Sequence, residues 1–194
     1  MTATVENPMQ VHSAGEIEKI YSAHHGRILK AAYRVTGNLS DAEDVLQTIF
    51  LRMIRREPGQ AWPENLESYL YRAAINAALD VLRLRRESSM VSLDVSLDNR
   101  LDNAGEKTVQ FASHDPSPER AHASGEVRAW FRAALTKLSP RTAEMFVLRY
   151  LEGMGNREIA RMLDTSQAVV AVTLFRTRNK LQKDYSQQKK RRQQ

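Results

Sequence analysis

Residues 156–178 read NREIARMLDTSQAVVAVTLFRTR, and this stretch decides the fold. Ile159, Met162 and Leu163 recur at helical spacing, so a short helix over 156–163 turns one apolar face inward. Ala160 keeps the contact with the next helix small. Asp164 stands where the turn needs a left-handed residue. That position usually holds glycine, and a short polar side chain tolerates it better than most. Val170, Leu174 and Leu181 then fix a second helix, opening at Ser166 and reaching Tyr185, against the first. The pattern is a helix-turn-helix, which offers the N-terminal turns of its second helix to the major groove of DNA. A hairpin used only for packing has a similar pattern, so the rest of the chain must decide.

Upstream, Ser139 and Pro140 open a helix as N-cap and first helical residue, and it carries Ala143, Phe146, Val147 and Tyr150. Before it, 118–138 forms a helix with Trp130, Phe131, Ala134 and Leu135. Residues 88–117 are rich in Ser, Asp and Asn, lack a sustained period and close on Asp115-Pro116-Ser117-Pro118. They read as a linker, although the spacing of Leu93, Leu97 and Leu101 leaves room for a short helix. The N-terminal part predicts three helices. The first spans 16–35. The second opens on Ser40-Asp41-Ala42-Glu43, a capping box, and has the stripe Ala42, Val45, Leu46, Ile49, Phe50, Met53 and Ile54. The third spans 65–86 after a loop with Trp62 and Pro63. The expected fold is all-α: two small helical domains, 13–87 and 118–186, joined by an extended acidic linker, 88–117, and followed by a basic tail, 187–194.

Composition narrows the function. The 194 residues contain no cysteine, which removes disulfides, thiolate catalysis and Cys-ligated metal sites. No run approaches the ~18 apolar residues of a membrane span, and the N-terminus lacks the basic start and apolar stretch of a signal peptide. A cytoplasmic protein with no membrane insertion of its own is expected. The net charge of +6 is unevenly spread: +1 over residues 1–86, −4 over 87–120 and +9 over 121–194. Nucleic acid suits the basic end.

Two further stretches now carry a resemblance. Ser40-Asp-Ala-Glu-Asp-Val-Leu-Gln-Thr-Ile-Phe-Leu-Arg, with Ser68-Tyr-Leu-Tyr-Arg-Ala-Ala-Ile-Asn-Ala-Ala-Leu-Asp-Val-Leu-Arg, is similar to region 2 of bacterial sigma-70-type sigma factors. Leu138-Ser-Pro-Arg, Phe146-Val-Leu-Arg-Tyr-Leu-Glu-Gly and Glu158-Ile-Ala resemble region 4. Two such domains with regions 1 and 3 missing resemble the small extracytoplasmic-function (ECF) group.

The resemblance implies a sigma factor that binds core RNA polymerase, at the clamp helices of the largest subunit and at the flap, and directs it to promoter DNA. It implies control by an anti-sigma factor and no catalytic residue, cofactor or metal. Core binding falls to Asp41, Asp44, Gln47, Thr48 and Leu51; Leu51 lies off the apolar stripe and should be exposed. Recognition and melting of the −10 element falls to Trp62, Asn65, Tyr71, Arg72, Asn76, Arg83, Arg85 and Arg86, because captured bases need stacking and amide partners near a cationic track. Reading of the −35 element falls to Ser166, Gln167, Ala171, Val172, Thr173, Arg176, Arg178 and Lys180. Here the chain departs from the family, which commonly has polar or basic residues where Ala171, Val172 and Thr173 stand. Base reading would then lean on Ser166, Gln167, Thr173 and apolar contact with thymine methyls, while the cations neutralise phosphates. Val169 and Val172 also suit a protein such as an inhibitor. The acidic linker suits a cationic polymerase channel.

Other classes fit less well. His24 and His25 are adjacent and point in different helical directions, so with Asp41, Glu43 and Asp44 they give no metal-ligand spacing. An operator-binding helix-turn-helix regulator without polymerase recruitment is the alternative. Residues 1–120 do not look like the receiver or ligand domain it would normally carry.

Overall fold

The computed structural model describes residues 14–56, 62–92 and 118–192. Among them are seven helices and no strand: α1 (Ala14–Thr36), α2 (Leu39–Ile54), α3 (Leu66–Ser92), α4 (Pro118–Leu135), α5 (Pro140–Tyr150), α6 (Asn156–Met162) and α7 (Gln167–Arg192).

α1, α2 and α3 pack on one another through Ile28, Val35, Val45, Ile49, Leu70, Ile75 and Leu79, all nearly or fully removed from water. Each such side chain contributes about 1.5–3 kcal/mol of transfer free energy. Ala31, Ala32, Ala74 and Ala78 are buried as well, and their small size lets α1 and α3 approach closely. Gly37 ends α1 in the left-handed region at φ 71°, its N–H returning to the Tyr33 carbonyl at 2.7 Å. The cap of α2 corrects the sequence reading. Asn38 is the N-cap, its side chain accepting from the Asp41 N–H, so Ser40 lies inside the helix. Ile54, expected in the apolar stripe, is 55% exposed.

In the second half α5 is the central element. Six consecutive residues, Ala143 to Leu148, are buried, a run that one neighbour cannot cover at 3.6 residues per turn. α6 and α7 cover one side, and α3 of the first half covers another. Leu135, Phe146, Val147, Ile159, Val170 and Leu174 fill the space between. Asp164 takes the left-handed turn at φ 47°, and Arg141 donates to the Leu163 carbonyl beside it at 2.9 Å.

Helix ends also differ from expectation. α3 continues through Ser92, so residues 88–92 are helical rather than linker. α4 ends at Leu135, and α7 runs through 187–192 of the expected tail. Residues 93–117, with Leu93, Leu97 and Leu101, lie outside the described residues.

Candidate nucleic-acid and protein interfaces

The first face lies on α2. Asp44, Gln47 and Leu51 are exposed and Thr48 is half-buried; their spacing places them on one side of the helix. Leu51 is 48% exposed, and Ile54, three residues on, widens the same apolar patch. Asp41 does not belong to this surface. It is buried, and its Oδ1 accepts from Arg85 of α3 at 2.6 Å while Oδ2 has no hydrogen-bond partner among the described residues. Burial raises its carboxyl above the ordinary carboxylate range; Arg85 opposes the rise and Asp44 adds to it.

The second face, on α3 and the segment before it, is largely engaged inside the molecule. Trp62 donates from Nε1 to Glu16 at 2.8 Å and lies under the Arg56 guanidinium. Asn65 accepts from the Ser68 N–H at 2.9 Å, capping α3. Arg83 pairs with Asp80 on its own helix, and Arg85 holds Asp41.

The remaining members of the face reach into the second half of the chain. Arg72 donates from Nε to Glu144 of α5 at 2.8 Å and from Nη1 to the Met162 carbonyl at 3.2 Å. Asn76 donates to the same Glu144 oxygen at 3.2 Å. Tyr71 is buried, its hydroxyl donating to Glu152, which also pairs with Arg34 of α1. Burial and the neighbouring Glu152 carboxylate push the Tyr71 phenol above its ordinary range, so it remains a donor. Arg86 donates to Thr136 at 3.2 Å. Tyr71, Arg72 and Asn76 are therefore not free for bases in this conformation.

Their partners, Glu144 and Glu152, were not among the sequence candidates. A signal existed: Glu144 interrupts the apolar run Ala143-Glu-Met-Phe-Val-Leu, and an acid there must be buried with a partner. Tyr69 is exposed, with the Arg56 guanidinium 5.9 Å from its ring.

The third face lies on α7. Ser166 accepts from the Val169 N–H at 3.2 Å, so its hydroxyl holds the start of the helix. Gln167, Ala171, Val172, Arg176, Arg178 and Lys180 are exposed and Thr173 is half-buried. Val169 and Phe175 are exposed beside them. Among the described residues nothing covers this side of α7, in contrast to α3.

Comparison with known proteins bears on both halves. Residues 20–88 match the family described as Sigma-70 region 2, and residues 128–181 match Sigma-70, region 4. The ECF RNA polymerase sigma factor SigE of Mycolicibacterium smegmatis is 30% identical over 168 residues, covering 87% of this chain and 60% of the relative. SigG of Mycobacterium tuberculosis is 33% identical over 176 residues, covering 84% of this chain and 48% of the relative. SigW of Bacillus subtilis is 24% identical over 164 residues, covering 84% and 86%. The chain thus spans 60% of SigE and 48% of SigG.

Proposed function

The chain belongs to the ECF group of the sigma-70 family, and from that premise we infer that it binds core RNA polymerase and directs it to promoters through −10 and −35 elements. The observation that carries this reading is the presence of both matched regions, in order, on two helical halves that each have a surface suited to its task. The region 2-like unit occupies 13–87 and the region 4-like unit 118–186, with the acidic stretch between them entering a cationic channel of the polymerase. The protein acts in the cytoplasm by binding alone, without chemistry or a cofactor, and an anti-sigma factor controls it.

Each face has a part. On α2, Asp44, Gln47, Thr48 and Leu51 meet the clamp helices, with Ile54 extending the contact; the second half meets the flap. Desolvating Leu51 and Ile54 in such a contact gains the transfer free energy that exposure in water forgoes. On α3, Arg72, Asn76, Arg83 and Arg86 line the track for the opened −10 strand, and exposed Tyr69 offers a ring for stacking. Arg72 and Asn76 reach DNA only after Glu144 leaves them, so polymerase binding has to draw the halves apart. On α7, the exposed side meets the −35 duplex.

In vitro transcription with purified core enzyme tests this. The chain should co-elute with core and give promoter-dependent transcripts from genomic fragments; failure of both ends the reading. The double substitution Asp44→Arg with Gln47→Ala should weaken core binding at unchanged helical circular dichroism. Unaltered affinity would remove α2 from the interface.

A further inference from the structure

The outward side of α7 has a composition that packing does not require. Val170, Leu174, Thr177 and Leu181 are buried, and at about 100° per residue they mark one side of the helix. Ala168, Val172, Phe175 and Asn179 project from the opposite side, flanked by Val169, Ala171 and Arg176. All of these are exposed, Val172 to 47% and Phe175 to 66%. Apolar residues clustered in water mark a surface that something covers.

Charge identifies the occupant. No acidic residue lies between Gln167 and Lys183, and from Arg176 onward the same side becomes cationic through Lys180 and Lys183. An apolar patch continued by a cationic stripe complements a duplex whose groove floor carries methyl groups and whose edges are phosphates. The early turns also offer few side chains for other bases. Guanine is read by Arg or Lys, and the first cation of α7 is Arg176, in its third turn. Adenine is read by Asn or Gln, and Gln167 alone stands there. Thymine is distinguished in the major groove by its C5-methyl, which takes apolar contact.

Resting on the promoter reading above, we infer that this chain recognises its −35 element chiefly through thymine C5-methyl groups. Ala168, Val169 and Val172 set the specificity, Phe175 bounds the contact, and Arg176, Lys180 and Lys183 hold phosphates. Recognition of this kind favours T-rich steps and loses affinity with each methyl removed at the contacted positions.

The test uses full-length chain assembled with purified bacterial core polymerase and a promoter library randomised across both elements. Every thymine of the enriched −35 sequence is then replaced, one at a time, by deoxyuridine, which removes only the methyl. Open-complex formation should fall about 3- to 5-fold at two or more positions, as expected for losing one buried methyl each. Val172→Ser should abolish the distinction between thymine and uracil at one of them. An enriched element led by guanine, or tolerance of uracil at every position, overturns the inference, leaves the promoter reading standing and gives the apolar side to a protein partner. Absence of promoter-dependent transcripts from the whole library overturns both.

Discussion

Arg72 and Asn76 on α3 converge on one oxygen of Glu144, whereas Val172 and Arg176 on α7 are exposed. Both helices carry side chains of the kinds that meet DNA, and local sequence does not distinguish them. The difference is tertiary. α5 places Glu144 and, just beyond its end, Glu152 against the polar side of α3, and nothing comparable faces α7 among the described residues. A carboxylate on a guanidinium occupies the position a phosphate would take, so the polar side of α3 is held by its own chain while that of α7 stays open among the described residues.

Reversing one of these acids is the strongest way to break that contrast. Glu144→Lys sets an ammonium against Arg72 and leaves Asn76 without its acceptor. Losing one partner of a buried pair costs about 3–5 kcal/mol. The Arg72 side chain is 39% exposed, so solvent screens it and about 2 kcal/mol is the expected loss. The two halves should separate, giving a larger radius of gyration by X-ray scattering and a second step in urea unfolding. A single transition with unchanged scattering would mean that apolar contacts between α3 and α5 suffice to hold the halves together.

A smaller effect compares two of the left-handed turns. Gly37 leads from α1 to α2 at φ 71°, and the guanidinium of Arg132 from α4 lies where its Cβ would be. Gly37→Ala meets both the conformational penalty and that side chain, which must move aside. A loss of about 1–2 kcal/mol in urea denaturation is expected. Asp164, in the turn before the open α7, already carries a Cβ at φ 47°. Asp164→Gly relieves that strain while loosening the unfolded chain, so the two effects nearly cancel and a change of under about 1 kcal/mol is expected. If Gly37→Ala proved as mild as Asp164→Gly, the guanidinium above Gly37 would not be restraining it.

The legibility of the molecule follows the same division. The helix-turn-helix was readable because its determinants are local: Ile159, Ala160, Leu163, Val170 and Leu174 are buried and Asp164 is left-handed, as the 3.6-residue period and turn chemistry require. Leu51 was readable as an exposed residue from its place off the stripe. Tyr71 was not, because at a position spaced with Ala74, Ile75 and Ala78 a Tyr stays buried as a donor only where its hydroxyl finds an acceptor, and otherwise turns outward as a stacking ring. Only the position of Glu152, 81 residues away, decides between them. Ile54 failed for a related reason: the stripe of α2 outlasts the surface it packs on, and its last member projects into water. The N-cap shifted from Ser40 to Asn38 because both residue types cap well and the left-handed Gly37 starts the turn earlier.

The smallest effect concerns the pair that Arg85 forms with Asp41. Asp41 is buried, with Oδ1 on Arg85 and Oδ2 unpartnered among the described residues, and its carboxyl lies above the ordinary range chiefly because of burial. A raised value in the folded chain means that folding tightens proton binding. The stabilising contribution is complete below the unfolded value near 3.8 and is lost as pH rises through the folded one. At neutral pH the ionised Asp41 therefore weakens the fold relative to a neutral group of the same shape. Asp41→Asn keeps the volume and a side-chain oxygen for Arg85, and the Asp41 N–H still reaches Asn38. Its urea midpoint at neutral pH should stay level or rise slightly, and the decline of stability with rising pH attributable to this group should vanish. A loss at neutral pH would show instead that Arg85 attracts the carboxylate by more than burial costs it. Arg85 would then belong with Arg72 as a cation held by an acid of its own chain, and the contrast between the covered and open helices would rest on charge throughout.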